Sequence, residues 1–146
     1  MADVTGPVVV GVDDSDRSVT ALDRAGALAG CLGTGVDVVH VSHIPATMLA
    51  VLAGVPSAAD DLLDAQRDAV WERLGPHLER LDVDATRVDL EGYPADELVR
   101  HAEAVDAEMI VVGSRGRGDF ASLVLGSTSH RVVNHAPCDV LVVRKD

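Results

Sequence analysis

Apolar residues in this chain gather in short runs separated by stretches of helical periodicity. Val8–Val12, Val36–Val41, Met109–Val112 and Val140–Val143 are valine-rich and carry few polar interruptions. That is the pattern of strands covered on both faces of a parallel sheet. A weaker, alternating run at Ala85–Leu90 reads as a fifth strand, placed at an edge. Between the runs, Arg17–Ala29 sets Val19, Leu22, Ala25 and Ala29 on one stripe, with Ser15 or Asp16 available as the cap. Asp60–Leu81 follows Leu63, Val70, Leu74 and Leu78, and Gly75-Pro76 is expected to kink or split it. Pro94–Val105 starts on a proline and turns Leu98, Ala102 and Val105 inward, and Ser127–His135 is the last and shortest helix. The segment His43–Ala59 is small-residue rich and stays open between a lid, the start of a second helix and an ordered apolar loop.

Strands alternating with helices predict an α/β fold: one doubly wound, five-stranded parallel sheet with helices on both faces, as a single domain over residues 1–146. Ligands in such sheets bind beyond the carboxyl ends of the strands, where the winding direction reverses. The most unusual stretch of the chain follows the run Met109–Val112. It reads GSRGRGDFASLVLGS from Gly113 to Ser127 and continues into Thr128-Ser129. Glycines let a backbone approach a ligand closely. A helix opening on Gly-Ser-Thr-Ser offers unpaired N–H groups, hydroxyls and a positive dipole end, which suit a phosphate. The stretch has neither the Gly-Lys-Ser/Thr of a Walker A loop nor a Gly-x-Gly-x-x-Gly fingerprint.

The spacing Gly-x2-Gly-x9-Gly-Ser, carried by Gly113, Gly116, Gly126 and Ser127, resembles the signature of the universal stress protein family in its ATP-binding branch. Three further segments are similar to that family: Val9-Val10-Gly11-Val12-Asp13-Asp14-Ser15, Glu91-Gly92-Tyr93-Pro94-Ala95, and His135-Ala136-Pro137-Cys138-Asp139 with the strand after it. The resemblance implies strand order 3-2-1-4-5, with strands one and four as neighbours at the switch point. It also implies ATP or another adenine nucleotide, with Mg2+, as ligand. Val12 and Asp13 would meet the adenosine, the main chain of Val41 the adenine edge, and Val112, Gly113, Arg115, Gly116, Gly126, Ser127, Thr128 and Ser129 the ribose and phosphates. Cyclic AMP or AMP would use the same adenosine contacts and stays open.

The rest of the composition narrows this further. A net charge of −12 with one lysine, Lys145, argues against nucleic acid as partner. The chain has no apolar run of membrane-spanning length and no leader-like amino terminus, so a cytoplasmic protein is expected. Cys31 and Cys138 lie in no metal or redox spacing and are expected to be buried small hydrophobes. The six histidines make no metal set; His130 and His135 are five apart, off the i, i+4 ligand spacing. With no Walker lysine and no glutamate or glutamine in the matched segment to position water, a binding and regulatory role is expected. A slow ATPase or a nucleotidyl-transferring enzyme is the alternative. In the implied order the run Val140–Val143 lies at an edge and lacks internal charge or proline, so it is expected to pair with a second copy as a homodimer.

Overall fold

The computed structural model describes residue 3 and residues 6–114 and 125–144. Five parallel strands run β1 Val8–Val12, β2 Val36–Ser42, β3 Ala85–Glu91, β4 Met109–Gly113 and β5 Asp139–Val143. They stand in the order β3-β2-β1-β4-β5. The chain winds one way from β1 to β3 and the other way from β4 to β5, so β1 and β4 flank the reversal. Their register pairs Val8 with Met109 and Val10 with Val111.

Side-chain alternation divides the sheet into two cores. Val8, Val10, Val36 and Val38 face α1 (Asp16–Leu32) and α3 (Ala58–Leu78), and pack with Leu22, Val70 and Leu74. Val9, Val39, Ile110 and Val112 face α4 (Pro94–Ala104) and α5 (Ser127–His135), and pack with Leu98 and Val132. Aliphatic and small residues fill both faces, as a chain with 2% aromatics requires.

Several elements differ from the pattern read in the sequence. The first helix continues past Ala29 to Leu32 and stops because Gly33 adopts a left-handed conformation (φ 71°, ψ 31°). There the Thr34 N–H reaches back to the Ala29 carbonyl at 3.0 Å, the closing pattern that glycine makes inexpensive. Helix α3 passes through Pro76 without splitting. The proline sits in the final turn with its ring exposed, so only one backbone bond is forfeited near an end that frays in any case. The open segment after β2 contains a short helix, α2 (Ala46–Leu52), that buries no side chain. Cys31 is exposed and Cys138 half-buried, against the expectation that both lie in the core. Cys31 falls on the outer face of α1, two positions beyond the inward stripe that ends at Ala29. Burial and the neighbouring Asp139 carboxylate raise the Cys138 thiol above its usual range.

Gly6 is locked between two later segments. Its carbonyl accepts from the Thr34 hydroxyl at 2.9 Å, and a Cβ added to it would lie 1.9 Å from the Asp106 carbonyl oxygen. At Gly54 a Cβ would meet nothing within 4 Å. Gly6→Ala is expected to lower stability by about 1–3 kcal/mol, the usual range for overpacking a filled site. Gly54→Ala is expected to leave it within about 0.5 kcal/mol. Urea denaturation of the two variants beside the parent chain checks both.

Candidate functional site

The carboxyl ends of β1 and β4 lie side by side. Val12 is buried and pairs with His40 of β2. Asp13 follows it directly. One Asp13 carboxylate oxygen accepts from the Ser15 N–H (2.9 Å) and the Ser18 hydroxyl (2.8 Å), while the Ser18 oxygen accepts from the Asp13 N–H (2.7 Å). Asp13 therefore fastens the start of α1, although Ser15 is the residue in the capping position and caps with no side-chain bond. That division of work is the reverse of the capping expected from the sequence.

On the other side of the reversal, Val112 is buried and Gly113 ends β4 opposite Val143. Ser114 then joins β4 to α5. Its N–H donates to the Val143 carbonyl (2.8 Å) and its carbonyl accepts from the Gly126 N–H (2.8 Å). The same carbonyl takes the Ser129 hydroxyl at 3.1 Å, which also reaches the Gly126 carbonyl at 3.1 Å. Ser129 is 2% exposed, so its hydroxyl proton is committed to this joint. Ser127 is exposed and Thr128 half-buried. Arg115 and Gly116 lie outside the described residues.

The first hydrogen bond of α5 runs from the His130 N–H to the Gly126 carbonyl (3.0 Å). The N–H groups of Ser127, Thr128 and Ser129 precede it and have no partner within the helix. Helices α1, α3 and α4 each place at least one acidic side chain in the first turn: Asp16; Asp60 and Asp61; Asp96 and Glu97. Helix α5 has none there and no capping side chain. Its positive end, like that of the short α2, is left without the carboxylate that those three helices supply from their own sequence. Among the described residues, no group of three or more His, Cys, Asp or Glu side chains could hold a metal ion.

Val41, the candidate on β2, pairs with Leu90 of β3. Past it, the main chain of His43 is clamped from α3: its N–H donates to Gln66 Oε1 and its carbonyl accepts from Gln66 Nε2, both at 3.2 Å. The His43 ring rests on the exposed ring of Tyr93, with centroids 5.0 Å apart. This clamp was not legible in the sequence, because Gln66 sits in a helix of weak amphipathicity. Nor did the sequence single out His40, which is buried against Trp71 and held below its ordinary pKa, chiefly by loss of hydration.

Comparison with known proteins accords with this arrangement. The profile of the universal stress protein family matches residues 5–144. The universal stress protein YxiE of Bacillus subtilis is 32% identical over 144 residues, spanning 94% of this chain and 97% of that one. Among solved structures, universal stress protein UspA from Lactobacillus plantarum superposes with a TM-score of 0.81 at 27% identity, covering 99% of this chain and all of the other. A universal stress protein solved in complex with cAMP gives a TM-score of 0.60 at 28% identity, covering 96% and 98%. The fold is thus an α/β sheet of the kind that carries a site at its winding reversal. The chain belongs to the universal stress protein family.

The joint at Ser129 is open to test. Ser129→Ala leaves the Ser114 and Gly126 carbonyls with one donor fewer and is expected to cost about 1 kcal/mol. Thermal unfolding of the variant, compared with an exposed-site control such as Ser127→Ala, measures it.

Proposed function

We propose that the protein binds an adenine nucleotide across the β1–β4 reversal, with ATP as the leading ligand, and acts as a regulatory binder. The observation that carries this reading is the start of α5. Three N–H groups without a partner inside the helix and the Ser127 and Thr128 hydroxyls stand beyond β4 in a first turn that lacks an acidic side chain. A phosphate supplies the negative charge that such a turn lacks. Asp13 and the Val41 main chain would take the adenosine, at the ends of β1 and β2. Val12, Val112 and Gly113 would bring their backbones close beneath it. Ser129 would contribute its N–H, its hydroxyl being engaged with Ser114. Arg115 and Gly116 would complete the phosphate side. The relative solved with cAMP supports an adenine ligand. Cyclic AMP and AMP are the competitors, to be separated by the number of phosphates bound. Mg2+ would ride on the phosphate oxygens with water, the way this ion usually enters nucleotide sites.

A regulatory role rather than turnover follows from the chemistry available. Phosphoryl transfer needs cations positioned around the γ-phosphate and a group that orients the nucleophile. Among the described site residues, Asp13 is the one side chain that could orient water, and one of its oxygens already holds the start of α1.

Gly126→Val tests the site. Gly126 has φ −62° and ψ 163°, extended backbone that valine also adopts, so the variant is expected to fold. The added side chain fills the approach to the first turn, and affinity for ATP in calorimetry is expected to fall at least about a hundredfold. Unchanged affinity in a folded variant removes the assignment.

We also propose that two copies pair through the β5 edge, as the family resemblance implies. If the two-fold axis falls between Leu141 and Val142, Asp139 faces Arg144 of the partner. Val142 packs against the α4 and α5 core, so an acidic residue there would disturb the fold as well as the edge. Arg144 is exposed and gives a cleaner probe. The parent chain is expected to sediment as a dimer at micromolar concentration. Arg144→Asp is expected to weaken the dimer by roughly three- to thirtyfold, from two like-charge cross-strand pairs. A monomeric parent chain refutes the pairing.

A further inference from the structure

The buried histidine of β2 sits in a group that the nucleotide reading does not use. His40 is 4% exposed, and its Nδ1 is buried without a hydrogen-bond partner. That nitrogen lies 3.8 Å from an Asp89 carboxylate oxygen on β3. The same oxygen accepts the Trp71 indole N–H from α3 at 2.8 Å. The imidazole meets the Trp71 ring edge-on, with centroids 6.5 Å apart. The Arg87 guanidinium covers that ring from β3, 5.2 Å from its centroid. Five residues earlier on α3, Gln66 holds both main-chain groups of His43. The middle of α3 is therefore fixed to the sheet at two places, Trp71 on Asp89 and Gln66 on His43, and His40 lies beneath the first.

We propose that His40 is a proton-operated latch that releases the α2–α3 segment from the β2–β3 edge on mild acidification. Protonation does two things here. It places a cation where water is excluded, which costs free energy unless the site opens or the charge is paired. It also makes the nitrogen facing Asp89 a charged donor, competing with the Trp71 indole for the same oxygen, and a charge-assisted bond outweighs a neutral one. Both effects pull Trp71 off its anchor. The Gln66 clamp and the exposed helix α2, which precedes α3 directly, move with it.

Charges from every neighbouring element bear on His40. Asp89 on β3, and Asp13 and Asp14 in the loop after β1, favour the cation, whereas Arg67 on α3 opposes it. Burial outweighs the carboxylates and lowers the His40 pKa from 6.5. The sign follows. The packed form holds the neutral ring, so it is fully favoured above about pH 6.5. As the pH falls through that value, the open form takes up the proton first and gains population. The gain is complete once the pH is below the packed-state pKa.

Trp71 is the single tryptophan of the chain, so its fluorescence reports this seam alone. The test follows tryptophan emission of the full chain from about pH 8 to about pH 4.5, with far-UV circular dichroism recorded in parallel. The expected result is a one-proton change in emission with its midpoint below the free histidine value, while the dichroism stays constant. His40→Phe should abolish the change, and His77→Gln should keep it. An emission change that persists in folded His40→Phe, or that coincides with loss of dichroism, overturns the latch. If His40→Phe does not fold, NMR titration of the parent imidazole decides, with the resonance assigned through its proximity to the Trp71 ring. A pKa at or above the free value overturns the proposal, and a depressed pKa shared by the Trp71 indole N–H shift supports it. No nucleotide enters the measurement, so its outcome is separate from that of the ligand reading.

Discussion

The parallel pairing of β1 with β4 is the contact on which the rest of the structure depends. It joins strands whose sequences are almost 100 residues apart, with Val8 set against Met109 and Val10 against Val111. A slip by one residue would turn Val9 and Ile110 into the wrong core and lift Val10 and Val111 out of theirs. Because the side chains of both strands are almost fully buried, the register is strongly fixed. It also decides which loops become neighbours. Asp13 and Gly113 leave the sheet on either side of this one pair, and the start of α5 is then tied to Ser114 at the same place.

The two faces of the sheet serve different ends. The α4–α5 face is bound to the site, with Ser129 and Val132 holding α5 against the β4 end and the exposed Arg131–Asp96 pair linking α5 to α4 at 2.6 Å. The α1–α3 face carries the long helix whose Gln66 and Trp71 grip the opposite edge. The first face has its anchors close in sequence to the residues they position. The second reaches across from a separate element, with a polar cluster where an aliphatic contact would have served packing alone.

Fold and candidate site were legible in the sequence to different depths. The strands could be read because valine runs of four to six residues admit little else, and the resemblance to a known family set their order. Helix α5 was legible to the residue, since Gly126 and Ser127 mark its start and Pro137 bars its continuation. Gly33 marks the end of α1 equally well, but the apolar stripe stops at Ala29 and drew the boundary inward. Pro76 misled for the opposite reason: its cost depends on its distance from the helix end, which a local pattern does not reveal. The His40–Asp89–Trp71 group was invisible, because β2, β3 and α3 meet only through the tertiary fold. The engagement of Ser129 with Ser114 was hidden likewise; a Ser-Thr-Ser run does not say which hydroxyl turns inward.

The joint that sets α5 in place is made of uncharged groups: a hydroxyl, two amides and a buried valine. Its geometry is accordingly indifferent to dissolved electrolyte, whereas the exposed Arg131–Asp96 pair weakens as salt is added. The chain around it carries a net charge of −12. An anion arriving from solution meets repulsion at long range and a favourable helix end only at contact. Added salt weakens the first while leaving the second aligned, so capture of an anion should quicken as ionic strength rises. Sites steered by opposite charge do the reverse.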